Sequence, residues 1–80
     1  MALTFVGIDP NTGDGECPTV WVDRDAEEII IQGWKVDETT RAECLQTGPI
    51  PETEAVVRIP ARMAPILREA CDAVERAELR

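Results

Sequence analysis

Eighty residues carrying sixteen acids against eight bases have a formal net charge of −8, and the length admits one domain, residues 1–80, with no second core. The chain has no His, Ser or Tyr and one Lys, which removes the Ser-His-Asp triad, the Cys-His pair and histidine acid–base catalysis. The acid excess repels phosphate backbones and membrane surfaces and favours basic proteins or cations as partners.

Residues 2–8 read as a first strand, with Leu3 and Phe5 on one face and Val6 and Ile8 on the other. Asp9 to Gly15 is a cluster of turn formers and is expected to be a surface loop, Asn11 and Gly13 supplying positive φ. Residues 18–23 make a second strand, Val20 and Val22 sharing a face opposite Trp21, and Asp23–Glu27 is a polar connection of hairpin length. Residues 28–36 are the strongest strand signal. Ile29 and Ile31 lie on one face and Ile30, Trp34 and Val36 on the other, so both faces are apolar and the strand is expected in the middle of a sheet or against a partner.

Asp37–Thr40 opens a short helix, since Thr40-x-x-Glu43 matches the capping-box pattern, and Gly48 is expected to terminate it in a left-handed conformation. A stiff loop with Pro49 and Pro51 leads to a strand over 55–59. The last element is a helix from about Ala61 to Leu79, with Pro65 tolerated in its first turn. Met63, Ile66, Leu67, Ala70, Val74 and Ala77 recur at helical spacing as its buried stripe, and Asp72→Arg76 is an i,i+4 pair in the favourable order. Together these predict an α+β fold: a small antiparallel sheet of about four strands, a short helix in the middle of the chain, and a C-terminal helix packed on one face.

The charge is unevenly placed. Residues 1–54 hold twelve of the acids and three bases, whereas residues 55–80 hold five arginines and four acids. Cys17, Cys44 and Cys71 form no C-x-x-C unit and read as reduced thiols acting as small apolar groups. No apolar run approaches the ~20 residues that span a bilayer, and the amino terminus lacks the pattern of a signal peptide, so the expected address is the cytoplasm.

Four patterns compete as candidate sites. The loop Asp9–Glu16 invites a calcium reading, but Asp14 and Val20 stand where an EF-hand needs Gly and a bidentate Glu, and a turn explains the run more simply. Trp21 and Trp34 are core residues in the plain reading. One helix covers only one face of a sheet, however, so one of them is a candidate for an exposed patch that docks a basic, partly apolar partner. Asp23, Asp25, Glu27 and Glu28 are read as solvated hairpin acids bordering that patch rather than as an acid–base pair, and Glu52 and Glu54 likewise as solvated. Arg58, Arg62 and Arg68 form no basic stripe, so direct nucleic-acid binding is not expected. No cofactor or metal is expected.

A resemblance adds to this reading. The run Gly13-Asp14-Gly15-Glu16-Cys17-Pro18-Thr19-Val20-Trp21-Val22 resembles the Gly-rich turn, cysteine and following strand of the small acidic actinobacterial proteins encoded beside WhiJ-type helix-turn-helix regulators, a BldB-related family, or of a sister family. Ile29-Ile30-Ile31-Gln32 is similar to that family's second strand, and Val56 to Leu67 to its closing strand and helix. The resemblance implies a non-enzymatic, dimeric accessory that modulates a DNA-binding partner, and it supplies no site residue. The expected function is therefore an interaction protein that binds a basic partner through an acidic, Trp-containing surface. The alternatives are a small thiol-dependent enzyme built on Cys17 and a cation-binding protein built on the Asp9–Glu16 loop.

Overall fold

The computed structural model describes residues 3–11 and 17–78. The expected turn residues 12–16, Gly13 among them, lie outside the described residues, as do Ala2, Leu79 and the side chain of Ala77. Three strands, β1 (Leu3–Ile8), β2 (Thr19–Asp23) and β3 (Glu28–Gln32), form an antiparallel sheet in the order β1-β2-β3. A second, two-stranded antiparallel sheet pairs β4 (Trp34–Lys35) with β5 (Val57–Arg58), and helix α1 (Glu38–Leu45) lies between these two strands in sequence. A 3-10 turn over Ala61–Met63 leads into helix α2 (Ala64–Glu78). This is the expected α+β architecture, with its strands divided three and two.

The alternating pattern of β2 sets the core. Val20 and Val22 are buried on the inner face of the central strand, where they meet Met63 and Ala70. Val6, Ile29, Ile59, Ile66, Ala73 and Val74 pack around them half-buried. Fully burying a side chain of the size of Val20, Val22 or Met63 contributes about 1.5–3 kcal/mol, so few residues hold this sheet to its helix. Met63, Ile66, Ala70 and Val74 of the expected stripe belong to this core, joined by Ala73, whereas Leu67 is half-buried outside it. Pro65 falls in the first turn of α2, where its missing amide leaves no helical hydrogen bond unmade.

Several details differ from the sequence reading, each for a local reason. The strand expected over 28–36 breaks at Gly33. A Cβ there would stand 2.6 Å from the Arg58 carbonyl oxygen, so β5 crosses close to the backbone between β3 and β4. The middle position in the sheet belongs to β2, not to the isoleucine-rich β3. The register slips between Phe5 and Gly7, and this bulge sets Ile8 opposite Thr19, on the side of Leu3 and Phe5 rather than that of Val6. The strand expected over 55–59 is paired only at Val57 and Arg58.

Helix α1 is capped by Asp37, whose carboxylate accepts the Thr40 amide at 2.8 Å, and not by Thr40. It ends without a left-handed glycine. The Thr47 amide and hydroxyl both donate to the Cys44 carbonyl, and Gly48 is not in the positive-φ region. Asp72 and Arg76, both exposed, make no ion pair. Among the described non-glycine residues the one left-handed position is Glu27 (φ 58°), so in this respect Asn11 is ordinary.

Candidate functional site

Helix α2 covers the inner face of the three-stranded sheet, and among the described residues no element packs on the outer face. Cross-strand partners share a face, so the register orders the outer side chains into three rows: Leu3, Asp23 and Glu28; Phe5, Trp21 and Ile30; Ile8, Thr19 and Gln32. Directly opposed side chains have Cβ atoms about 4.5–5.5 Å apart, so the middle row is a continuous apolar band across all three strands. Leu3, Phe5 and Ile8 are 45%, 59% and 44% exposed, while Trp21 and Ile30 are half-buried among their neighbours.

The two ends of this face differ in character. At one end Gln32 Nε2 and the Thr19 hydroxyl both donate to the Cys17 carbonyl, at 2.9 and 2.8 Å, which closes that row with satisfied polar groups. At the other end stand the carboxylates of Asp23 and Glu28, with no base among the nine outer positions. The β2–β3 turn extends this acidity through the exposed Asp25 and Glu27. Asp23 builds that turn as well: its Oδ1 accepts the amides of Asp25 and Ala26 at 3.1 and 3.0 Å, and the left-handed Glu27 then returns the chain into β3.

Of the residues picked out from the sequence, the fold brings Trp21, Asp23 and Glu28 together on this face and places Asp25 and Glu27 beside it. Trp34 lies elsewhere. It is 37% exposed on the two-stranded sheet, where it pairs with Arg58. Leu3, Phe5, Ile8 and Ile30 belong to the face and were not singled out. Their membership is set by the strand register and by the bulge after Phe5.

A second arrangement was missed altogether. Asp9, expected in a surface loop, is 2% exposed, and its carboxylate takes a two-pronged bond from Arg62: Nε to Oδ1 at 2.6 Å and Nη2 to Oδ2 at 2.7 Å. The Asn11 amide also approaches Oδ1, at 3.3 Å, and the Asp9 amide donates to the Pro18 carbonyl at 2.9 Å. The bonds to Asp9 push the Arg62 guanidinium further above its already high ordinary range. Both oxygens of Asp9 are thereby committed to fastening the loop to the 3-10 turn, and any cation in this loop would compete with Arg62 for them.

No disulfide joins Cys17, Cys44 and Cys71, and each is half-buried. Among the described residues no three His, Cys, Asp or Glu side chains cluster as metal ligands, and no helix is long and apolar enough to cross a membrane. No family model, curated protein or solved structure matches the chain.

Proposed function

We propose that this protein is a non-enzymatic interaction module that docks a basic, partly apolar protein partner on the outer face of its three-stranded sheet. The observation that carries the reading is the band Phe5–Trp21–Ile30, uncovered among the described residues and bordered at one end by Asp23 and Glu28. Contiguous exposed apolar surface with a charged border is what a docking site offers. Aromatic side chains near the centre of such a patch are its natural anchors. The carboxylates steer a basic partner and fix its orientation.

The resemblance to accessory proteins of WhiJ-type regulators supports a helix-turn-helix DNA-binding protein as that partner, since such proteins present basic surfaces. Occupying that surface would alter the partner's DNA binding without contact between this chain and DNA. Exposed charges are screened beyond about 8 Å at physiological ionic strength, so the complex should weaken as salt rises.

The test is affinity capture from the cytosol of the source cell with the native chain and with Phe5→Glu, at low and high salt. Phe5 is more than half exposed, so the substitution leaves the core intact. A basic protein held by the native chain at low salt, and lost with Phe5→Glu, supports the reading. Equal retention by both chains removes this face as the docking site.

A further inference from the structure

The outer face ends at β1, and β1 is an open edge. Its six residues, Leu3 to Ile8, include no charge and no proline. Charged side chains and proline are the usual means by which proteins keep an edge strand from pairing with another chain. At about 3.3 Å per residue the strand offers about 20 Å of backbone, one side of which pairs with no other strand among the described residues.

The opposite edge of the sheet is less open. β3 begins at the charged Glu28, and just past its other end the Arg58 carbonyl presses on Gly33. The bulge after Phe5 turns the far part of β1, so the regular stretch is Leu3–Phe5. That stretch borders the acidic row, because Leu3 lies opposite Asp23, which lies opposite Glu28. A strand added beside Leu3 would sit about 10 Å from Asp23, two strand spacings away. Lysine and arginine side chains are long enough to close most of that distance.

We infer that the partner is engaged by strand addition: an extended segment with an apolar and a basic side chain two residues apart, and so on one face, pairs with the edge of β1 along Leu3–Phe5. Its backbone continues the sheet as a fourth strand. Its apolar side chains extend the Phe5–Trp21–Ile30 band, and its basic side chains reach toward Asp23 and Glu28. Backbone pairing supplies affinity, and the alternate side chains supply selectivity. The inference rests on the docking face proposed above and adds how that face is read.

Three synthetic peptides of equal charge test it, each titrated into the isotopically labelled full chain. The first is a blocked heptapeptide with Lys, Phe and Lys at its second, fourth and sixth positions and Thr elsewhere, so that Lys and Phe share a face; the second is the same peptide N-methylated at alternate residues, and the third is an amphipathic Lys/Leu helix. The strand peptide should slow hydrogen exchange at the outward amides of Leu3–Phe5 by about tenfold at saturation, the effect of one new backbone hydrogen bond at each. N-methylation should abolish this, and so should Phe5→Lys in the protein. Binding of the helix alone, or equal binding of the methylated and unmethylated strands, overturns strand addition and leaves the docking face standing. Binding of none of the three overturns both.

Discussion

Gly7 provides the sharpest test of how the sheet meets its helix. A Cβ built on Gly7 would lie 2.8 Å from Ile66 Cγ2 and 3.0 Å from its Cγ1 and Cδ1, whereas carbon pairs settle at about 3.5–4.0 Å. Gly7→Ala therefore forces Ile66 to move against the core it half fills. Overpacking of this kind costs about 1–3 kcal/mol, and the smaller entropy of the unfolded alanine chain offsets about 0.4–1 kcal/mol of it. The net loss should be about 0.5–2 kcal/mol, set against a total stability of about 4–12 kcal/mol for a chain of this length.

Ile66→Ala removes the obstructing atoms. In that background the steric term vanishes and the entropy term remains, so Gly7→Ala should become stabilising by up to about 1 kcal/mol. Urea unfolding followed by tryptophan fluorescence reads this directly. With a slope of about 1 kcal/mol/M the midpoint should fall by about 0.5–2 M in the first background and rise in the second. A double-mutant cycle closes the comparison, and neighbouring residues typically couple by about 0.5–3 kcal/mol. The same cost in both backgrounds would show that Ile66 is not what Gly7 makes room for.

Three further outcomes follow from single sites. Glu27→Gly relieves an L-residue held at φ 58° in an exposed turn and should raise stability by about 0.5–1 kcal/mol, seen as a higher Tm. Met63→Ala empties a fully buried position of the core and should cost about 2–5 kcal/mol, lowering Tm by at least about 8 °C by the usual scaling of about 4–8 °C per kcal/mol. The Asp37 carboxyl is held below its ordinary value of 3.8, first by the Thr40 amide, then by the Thr40 hydroxyl and the Arg58 charge. A depressed folded value means the cap's contribution is complete above the unfolded value and is lost as pH falls through the folded one. Amide exchange in α1 should therefore accelerate below about pH 4 in the native chain and show no such step in Asp37→Asn.

Much of the fold could be read from the alternation of the first three strands and the 3–4 spacing of α2, because both patterns are local. What escaped depended on partners distant in sequence or on a single inserted residue. The bulge after Phe5 moves Ile8 to the other face, and no residue type between 3 and 8 announces it. Asp9 sits in a run of turn formers, and only Arg62, fifty-three positions away, makes its burial tolerable. The isoleucines of β3 suggested a central strand, yet β2 takes that place, its two valines buried with Met63 and Ala70 while Ile29 packs at their side. The cap on α1 was misplaced by three residues because Asp37 and Thr40 both suit an N-cap, and the sequence does not say which amide each will reach. The acidic end of the outer face was legible, since Asp23, Glu28 and the turn between them are contiguous. Its apolar half was not, because the membership of Leu3, Phe5 and Ile8 depends on register.

The shape of the chain explains why that apolar half stays uncovered. The radius of gyration is 14.2 Å, against about 12 Å for a compact domain of eighty residues. In the segment between β4 and β5, α1 buries no side chain and is tied back by the 2.6 Å bond from Arg58 to the Thr40 hydroxyl. Had those residues folded over the outer face instead, they would have covered Phe5 and Trp21 and removed apolar surface from water at about 25 cal/mol per Å². They project away, and Trp34, Leu45 and Val57 remain exposed with them. Among the described residues the outer face thus keeps its apolar band open, which is what the proposed docking requires.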